Sequence, residues 1–498
     1  MLARLWGALA REPIPGLGGR ETIGDTLGLK LSDGRALRGP AAAAEPFAIG
    51  PAGLTLTVDG VSYQDPAALL TSLGLPGRSA GLAAELDNSV ANLILARSAQ
   101  PAPDGGASTL VRASAQPDAL AFLEQCVIDG HPLHPCCRTR MGLSADEVLA
   151  YGPEHRPVVD LRLVRVPADR WLGVHCPPLL QVHPWQYDHV LDAYPWLERT
   201  GRTVAARPLM SLRTLSLVNQ PGHHVKTSVD VQMTSAVRTV SPAAVHNGPA
   251  MSALLQGLAA RTPGLSILPE VGAGAALVDG EPSRSLAVVY RRMPPMRSDE
   301  VALPMGALTA PSPADGRPII VEVVRDGYHG DPHDFVEAFA TLLLAPLLTL
   351  LDLGVALEAH GQNVLVVLRD GRLARLAYRD MGGLRVSPAR LLRHGIEPPE
   401  LRGDLASDDP EVLRTKLFAS AVSTVLSETI TVLARHLGAD RERAWSQVAA
   451  IARAHGGAEA NALFHSTLPM KATTAMRLAT DPLDDLWTQL PNPMAGLL

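Results

Sequence analysis

The chain has 498 residues, 46% of them hydrophobic and 19% charged, with a formal net charge of -6. That composition excludes a disordered chain and suits a globular protein of roughly two to four domains, while the mild acidity argues against broad nucleic-acid binding. Four cysteines without a CxxC pair form no disulfide framework, which fits a reducing cytoplasm.

The opening MLARLWGALAREPIPG has a short apolar run broken by Arg4, too short for a secretory signal. Residues 29–37 and 54–63 read as strands with turns at Asp33-Gly34 and Asp59-Gly60. Residues 65–73 and 80–97 read as helices, the second with Leu86, Val90, Leu93 and Ile94 at helical spacing. Glu85, Asn88, Ser89 and Asn92 lie on another face of it, read as solvated. PAPDGGAS, 101–108, is a linker candidate.

A helix over 117–128 leads into GHPLHPCCRTRMG, 130–142. Two prolines forbid a regular helix there, so His131 and His134 sit in a rigid extended or turn segment, followed by Arg138 and Arg140. Three readings stay open. His131, His134 and a cysteine offer ligands to Zn²⁺, although their spacing matches no standard finger. The same His and Arg side chains offer donors to phosphate or carboxylate. A structural loop, its imidazoles satisfying backbone groups, is the third.

Residues 158–166 read as a strand, and 183–191 as a helix opening on a proline, with Trp185 and Val190 in the core. SLRT, 211–214, precedes HHVKTSVDVQMTSAVRTVSP, 223–242, where apolar and polar residues alternate from Val225 as in a strand with one polar face. Lys226 and Arg238 would be ~40 Å apart in one unbroken strand, so the chain must bend if both serve one site. With Ser211, Arg213 and Thr214 they would make a cationic cleft suited to a polycarboxylate and a triphosphate; the alternative is a solvated strand face. GxGxxG and GxxxxGK[ST] are both absent. Further strands are predicted at 286–290 and 319–324, with a second linker at 311–318.

A long helix from Asp334 carries the apolar run 339–351, interrupted by Pro346, which suits a core helix. The next stretch, 355–383, reads as a polar loop with His360, Gln362 and Asn363, a strand at 364–368, a turn at Asp370-Gly371, and a returning strand at 373–378. Closing that hairpin makes the loop and Asp380 neighbours. Amide oxygens beside a carboxylate suit Mg²⁺, which shares its shell with waters and substrate phosphates. The order loop Asn, strand, metal Asp follows kinase-type phosphate handling, and a phosphotransferase is one reading of it; hairpin ends that merely face water are the other. Helices are predicted near 409–437 and 441–454, and LPMKATTAMRL, 468–478, places Lys471 and Arg477 near the end.

Taken together, GHPLHPCCRTRMG, YGPE (151–154), HPWQ (183–186), SLRT, KTSVDVQMTSAVRT (226–239), EAHGQN (358–363), Arg379-Asp380 and KATTAMR (471–477) resemble the NRPS-independent siderophore (NIS) synthetases, the IucA/IucC-like family. The resemblance implies an α+β cupped hand: a thumb over 1–110, fingers over 111–314 and a palm with kinase-like features over 315–498. It implies a homodimer, while the cysteine usage, net charge and interrupted apolar run point to a cytoplasmic protein with no nucleic-acid or membrane partner. The implied activity uses ATP and Mg²⁺ to adenylate citrate or a related acid, and an amine or hydroxyl then displaces AMP. The implied catalytic residues are Arg238, Lys226 and His360. His134, Arg138, Ser211, Arg213, Thr214, Lys226, Gln362, Asn363 and Asp380 would bind ATP. Arg238, His360 and Lys471 would bind the carboxylate, and Asp380, Asn363 and Gln362 the metal. Arg138 stands where the family has Lys, which replaces a point-like ammonium by a planar fork.

Overall fold

The structure is a computed structural model and describes residues 1–497. A first helix, Leu2–Arg11, buries Leu5, Trp6 and Leu9 against an antiparallel five-stranded meander. The meander is built from hairpins at the two Asp-Gly turns, and the helices Pro66–Leu73 and Ser79–Ser98 follow it. This core also takes in Ala472, Ala475 and Leu478 from the far end of the chain. The helix Thr473–Leu478 is held there by the Glu12 carboxylate, which accepts the Thr474 and Ala475 N–H groups at 2.7 and 2.9 Å.

The middle of the chain forms an eight-stranded antiparallel sheet. Its central strands are Glu270–Val278, Glu281–Arg292, His223–Thr227, Thr214–Leu217 and Glu198–Pro208. The helix Pro242–Ala259 packs on the first two of these. The polar alternation after Val225 resolves into three short strands, His223–Thr227, Val229–Met233 and Ala236–Arg238, with Thr234 in the left-handed region at φ 59°. The chain therefore bends between Lys226 and Arg238.

The last part is a four-stranded sheet packed on helices. The hairpin Val364–Arg369 and Arg372–Tyr378 is flanked by Glu300–Pro304 on one edge and by Leu265–Ile267, parallel, on the other. Both flanking strands come from the middle of the chain, so the two parts interlock. The turn uses Asp370 and Gly371 at φ 49° and 77°, the left-handed pair that a two-residue hairpin requires. Behind the hairpin, Pro332–Leu353 buries Phe335, Phe339, Leu343, Leu347 and Leu350. It and the continuous helical segment Pro410–Leu437 are long and apolar enough to cross a bilayer, yet both supply the core of this part.

Two expectations are corrected. Residues 319–324, read as a strand, open the helix Ile319–Gly327. A short β-branched run fits either element, and here Ile319, Ile320, Val323 and Val324 are all buried, so packing overrides propensity. The polar face of the helix Ser79–Ser98, read as solvated, is largely buried at Glu85, Ser89 and Asn92. It grips the segment at 138–140: Ser89 Oγ accepts the Arg138 N–H, Asn92 Nδ2 donates to the Arg138 carbonyl, and Asn88 Oδ1 accepts the Arg140 N–H, at 2.7 to 3.0 Å.

Candidate active site

Antiparallel pairing aligns Thr214 with Lys226, Ser216 with His224, and His224 with Arg291. These side chains share one face of the large sheet, while Leu215, Val225 and Val288 point into the core on the other. Ahead of Thr214 the chain turns sharply, with Leu212 at φ 66° and Ser211 Oγ accepting the Thr214 N–H at 3.1 Å. Arg213 is steered by one bond, Nη1 to the Thr239 carbonyl at 2.8 Å, and Arg238 by Nε to the Met233 carbonyl at 3.0 Å. Arg213, Lys226, Arg238 and Arg291 thus reach the same volume from four strand ends or turns.

The hairpin supplies the opposite wall. Val364 pairs with Tyr378, and the Arg379 N–H reaches the Asn363 carbonyl at 3.0 Å, which sets the loop 360–363 beside Asp380. A second tie comes from the Gly306 N–H to the Gly361 carbonyl at 2.8 Å. Arg379 donates to the Gln362 carbonyl at 3.0 Å and to Glu124 at 2.6 Å, so the helix Ala119–Gln125 braces the loop from behind. Asp380 has φ 77°, a conformation uncommon for a residue with a side chain. Its carboxylate accepts Lys226 Nζ at 2.9 and 3.0 Å and Arg291 Nη2 at 2.9 Å. Arg291 also holds Glu270 at 3.0 Å. This junction joins the two halves of the site.

Burial works against charge throughout the site. It draws Arg213 down to about 9, helped by repulsion from Arg238 and Arg291 and opposed by Asp380. It lowers Lys226 and Arg238 in the same sense, again with Asp380 opposing. Burial would raise Asp380, but the Lys226 ammonium and Arg291 guanidinium together hold its carboxyl well below the usual range. His360 is lowered by burial, with Glu358 and Asp380 opposing. Its Nδ1 accepts the Gln362 N–H at 3.2 Å, so the neutral ring carries its proton on Nε2, 3.9 Å from Glu358.

These groups line one cavity of about 510 Å³. It brings together Arg138, Ser211, Arg213, Thr214, Lys226, Arg238, His360, Gln362, Asn363 and Asp380. Lys471 and His134 do not line it. Lys471 pairs with Asp485 at 2.6 Å and lies over the Trp487 ring. His134 is buried, with Nδ1 accepting the Cys136 N–H at 2.9 Å and Nε2 against Ser235 Oγ at 2.7 Å. Both its nitrogens are occupied, and no cluster of three or more His, Cys, Asp or Glu side chains suited to a metal occurs among the described residues. The zinc reading falls on those grounds. His131, its neighbour, lines the cavity instead, as does His360. Arg138 reaches the wall, but its guanidinium is spent on the Val127 and Ile128 carbonyls and on Glu154.

Sequence reasoning passed over Arg291, Glu124, Glu358, Arg379 and Glu428, all on the wall. Arg291 was legible as the polar end of an apolar strand. Glu358 and Arg379 belonged to motifs whose other members were weighed. Glu124 and Glu428 sit in apolar helices and gave no signal.

Part of this donor set is of the kind that Mg²⁺ takes. Asn363 spends Nδ2 on the Glu358 carbonyl at 3.2 Å, and among the described residues its Oδ1 has no protein partner. Gln362 and Asp380 line the same cavity, but both Asp380 oxygens are taken by Lys226 and Arg291, so Asp380 would join an ion that completes its shell with phosphates and water only by exchanging one of those partners.

Residues 119–174 and 178–310 match the IucA / IucC family profile, and residues 333–482 match a profile described as ferric iron reductase FhuF-like transporter. The chain is 28% identical to staphyloferrin A synthase of Staphylococcus aureus, over 77% of this chain and 74% of that protein. It is 26% identical to D-ornithine--citrate ligase of the same organism, over 64% of this chain and 58% of that one. Its fold matches ATP-bound aerobactin synthetase IucA from a hypervirulent pathotype of Klebsiella pneumoniae with a TM-score of 0.80, 19% identity and full coverage of both chains.

Proposed function

This chain belongs to the IucA/IucC family of NIS synthetases, and from that premise we propose that it activates a carboxyl group of citrate or a related acid with ATP and couples it to an amine or hydroxyl, releasing AMP and pyrophosphate. It is an enzyme of the siderophore-synthetase type. The observation that carries the finer reading is the convergence of Arg213, Lys226, Arg238 and Arg291 on the cavity that also holds the loop 360–363 and Asp380.

Adenylation brings a carboxylate to a polyphosphate, two anions that repel. Close, desolvated cations neutralise both and stabilise the charge that develops on the leaving pyrophosphate. In this reading Arg213 and Lys226, with Ser211 and Thr214, hold the phosphates, and Arg238 and the Nε2–H of neutral His360 hold the acid. Holding both reactants in one cavity supplies much of the remaining acceleration. Asp380, Asn363 and Gln362 would hold Mg²⁺, which supplies charge neutralisation at the phosphate oxygens. His134 and Arg138 act at a distance, fixing Ser235 and the segment at 127–128. In this reading thumb, fingers and palm are cupped around the cavity and exchange pieces across 110 and 314: Leu265–Ile267 and Glu300–Pro304 complete the palm sheet, and Thr473–Leu478 seats in the thumb core.

The test is product identity. The protein is incubated with ATP, Mg²⁺, hydroxylamine and, in turn, citrate, succinate and 2-oxoglutarate. AMP, pyrophosphate and a hydroxamate that depend on one of the acids are the expected products. ADP with a phosphorylated acid would replace this reading by a phosphotransferase, and no turnover with any acid would refute it.

A further inference from the structure

Four carboxylates line the cavity: Glu124, Glu358, Asp380 and Glu428. Three have cationic partners. Glu124 pairs with Arg379, Glu358 lies 3.4 Å from Lys416, and Asp380 holds Lys226 and Arg291. Glu428 has no Lys, Arg or His within 4 Å among the described residues. Its one partner is the Thr309 hydroxyl, which donates to Oε1 at 2.9 Å and leaves Oε2 unpartnered.

Thr309 directly follows the short helix Met305–Leu308. The Gly306 N–H of that helix is bonded to the Gly361 carbonyl, between His360 and Gln362. Glu428 is therefore anchored one turn from the loop assigned to the acid. A lone carboxylate in a cavity that gathers anions repels both of them unless a cation enters beside it. In the proposed reaction the remaining reactant, an alkylamine, is such a cation.

We propose that Glu428 binds the ammonium of a primary amine and takes its proton, which makes this enzyme an amide-forming synthetase and Glu428 its general base. The assignment rests on the adenylation reading above. The ammonium N–H bond breaks and its proton passes to Oε2. The freed nitrogen lone pair attacks the acyl carbon, the bond from that carbon to the AMP oxygen breaks, and AMP leaves with the electron pair. The second nitrogen proton goes to solvent, and Glu428 later releases its own the same way. Burial pushes the Glu428 carboxyl up to about 7, against the Thr309 hydrogen bond and Arg4, which suits a base that must both accept and return a proton near neutrality.

The test is Glu428→Gln, which keeps the side-chain shape and the Thr309 contact. With ATP, Mg²⁺ and the acid that supports turnover, two nucleophiles compete at pH 8: 1,4-diaminobutane, which is protonated, and hydroxylamine, which is largely neutral. Removing a general base costs about 10²–10⁴ in rate where a proton must be taken. The ratio of alkylamide to hydroxamate is expected to fall about 100-fold in E428Q and to recover in part in Glu428→Asp. An unaltered ratio, with pyrophosphate exchange intact, would overturn this assignment alone. Absence of acid-dependent pyrophosphate exchange in the unaltered protein would overturn the adenylation reading, and this one with it.

Discussion

Replacing Asp380 by Asn removes one charge from the junction and almost no volume. Its carboxylate lies about 3 Å from both Lys226 and Arg291. At an effective dielectric of ~20, each contact is worth roughly 5–6 kcal/mol of attraction. The cost of holding these charges out of water cancels much of that, and breaking such a buried pair leaves a net loss of about 3–5 kcal/mol. Asn can still accept one hydrogen bond, which favours the lower figure. An unfolding entropy of about 2 cal/mol/K per residue over this length makes that loss a fall in Tm of ~3 °C. The folded carboxyl sits well below its ordinary range, so its contribution is present above the unfolded pKa and is lost as pH falls through the folded one. The Tm gap between D380N and the unaltered protein is therefore expected at pH 7 and should close in acid. Calorimetric titration supplies the second reading: Mg²⁺ is expected to tighten ATP binding to the unaltered protein and to lose that effect in D380N. A variant with full Tm at pH 7, or with the full Mg²⁺ effect, would refute the reasoning.

Arg238→Ala is expected to lower acid-dependent pyrophosphate exchange by about 10²–10³. Its single bond to Met233 limits the stability cost to about 1 kcal/mol, so a folded variant with near-normal exchange would remove the assigned role. Arg138→Lys cannot span two carbonyls and Glu154, so it should cost about 1–3 kcal/mol in urea unfolding while ATP affinity changes less than threefold. Loss of ATP affinity at full stability would mean that the guanidinium serves nucleotide directly. Burial opposes charge on Glu154, yet Arg140 and Arg138 hold its carboxyl at about 2, below the ordinary 4.5. That contribution, on the order of 3 kcal/mol, is present above pH 4.5 and lost as pH falls toward 2. Acid titration of Glu154→Gln should show a weaker pH dependence in that window; an unchanged curve would sink the account.

What the sequence disclosed was local. The Asp370-Gly371 pair dictates its turn through backbone sterics, and the turn alone delivers Asp380 to the loop 360–363. The polar alternation after Val225 marked a strand face, and the reach from Lys226 to Arg238 demanded the bend observed at Thr234. The contact between Lys226 and Asp380 joins positions 154 residues apart, and nothing in either neighbourhood names the other. The buried face of Glu85, Ser89 and Asn92 was misread because an amphipathic helix looks the same whether its polar side meets water or another chain segment. The strand expected at 319–324 failed for a related reason: β-branched residues mark burial more reliably than they mark which element is buried.

The seating of Thr473–Leu478 in the core built by the first helices bears on how such proteins can be rearranged. Arg477 reaches Glu85 there and donates to the Ser235 carbonyl at 2.8 Å, so the tail also touches the turn between Val229–Met233 and Ala236–Arg238. Beginning and end form one physical module despite their separation along the polypeptide. A chimera that exchanged either end with a relative alone would juxtapose mismatched halves of that module, whereas exchanging both together would preserve it.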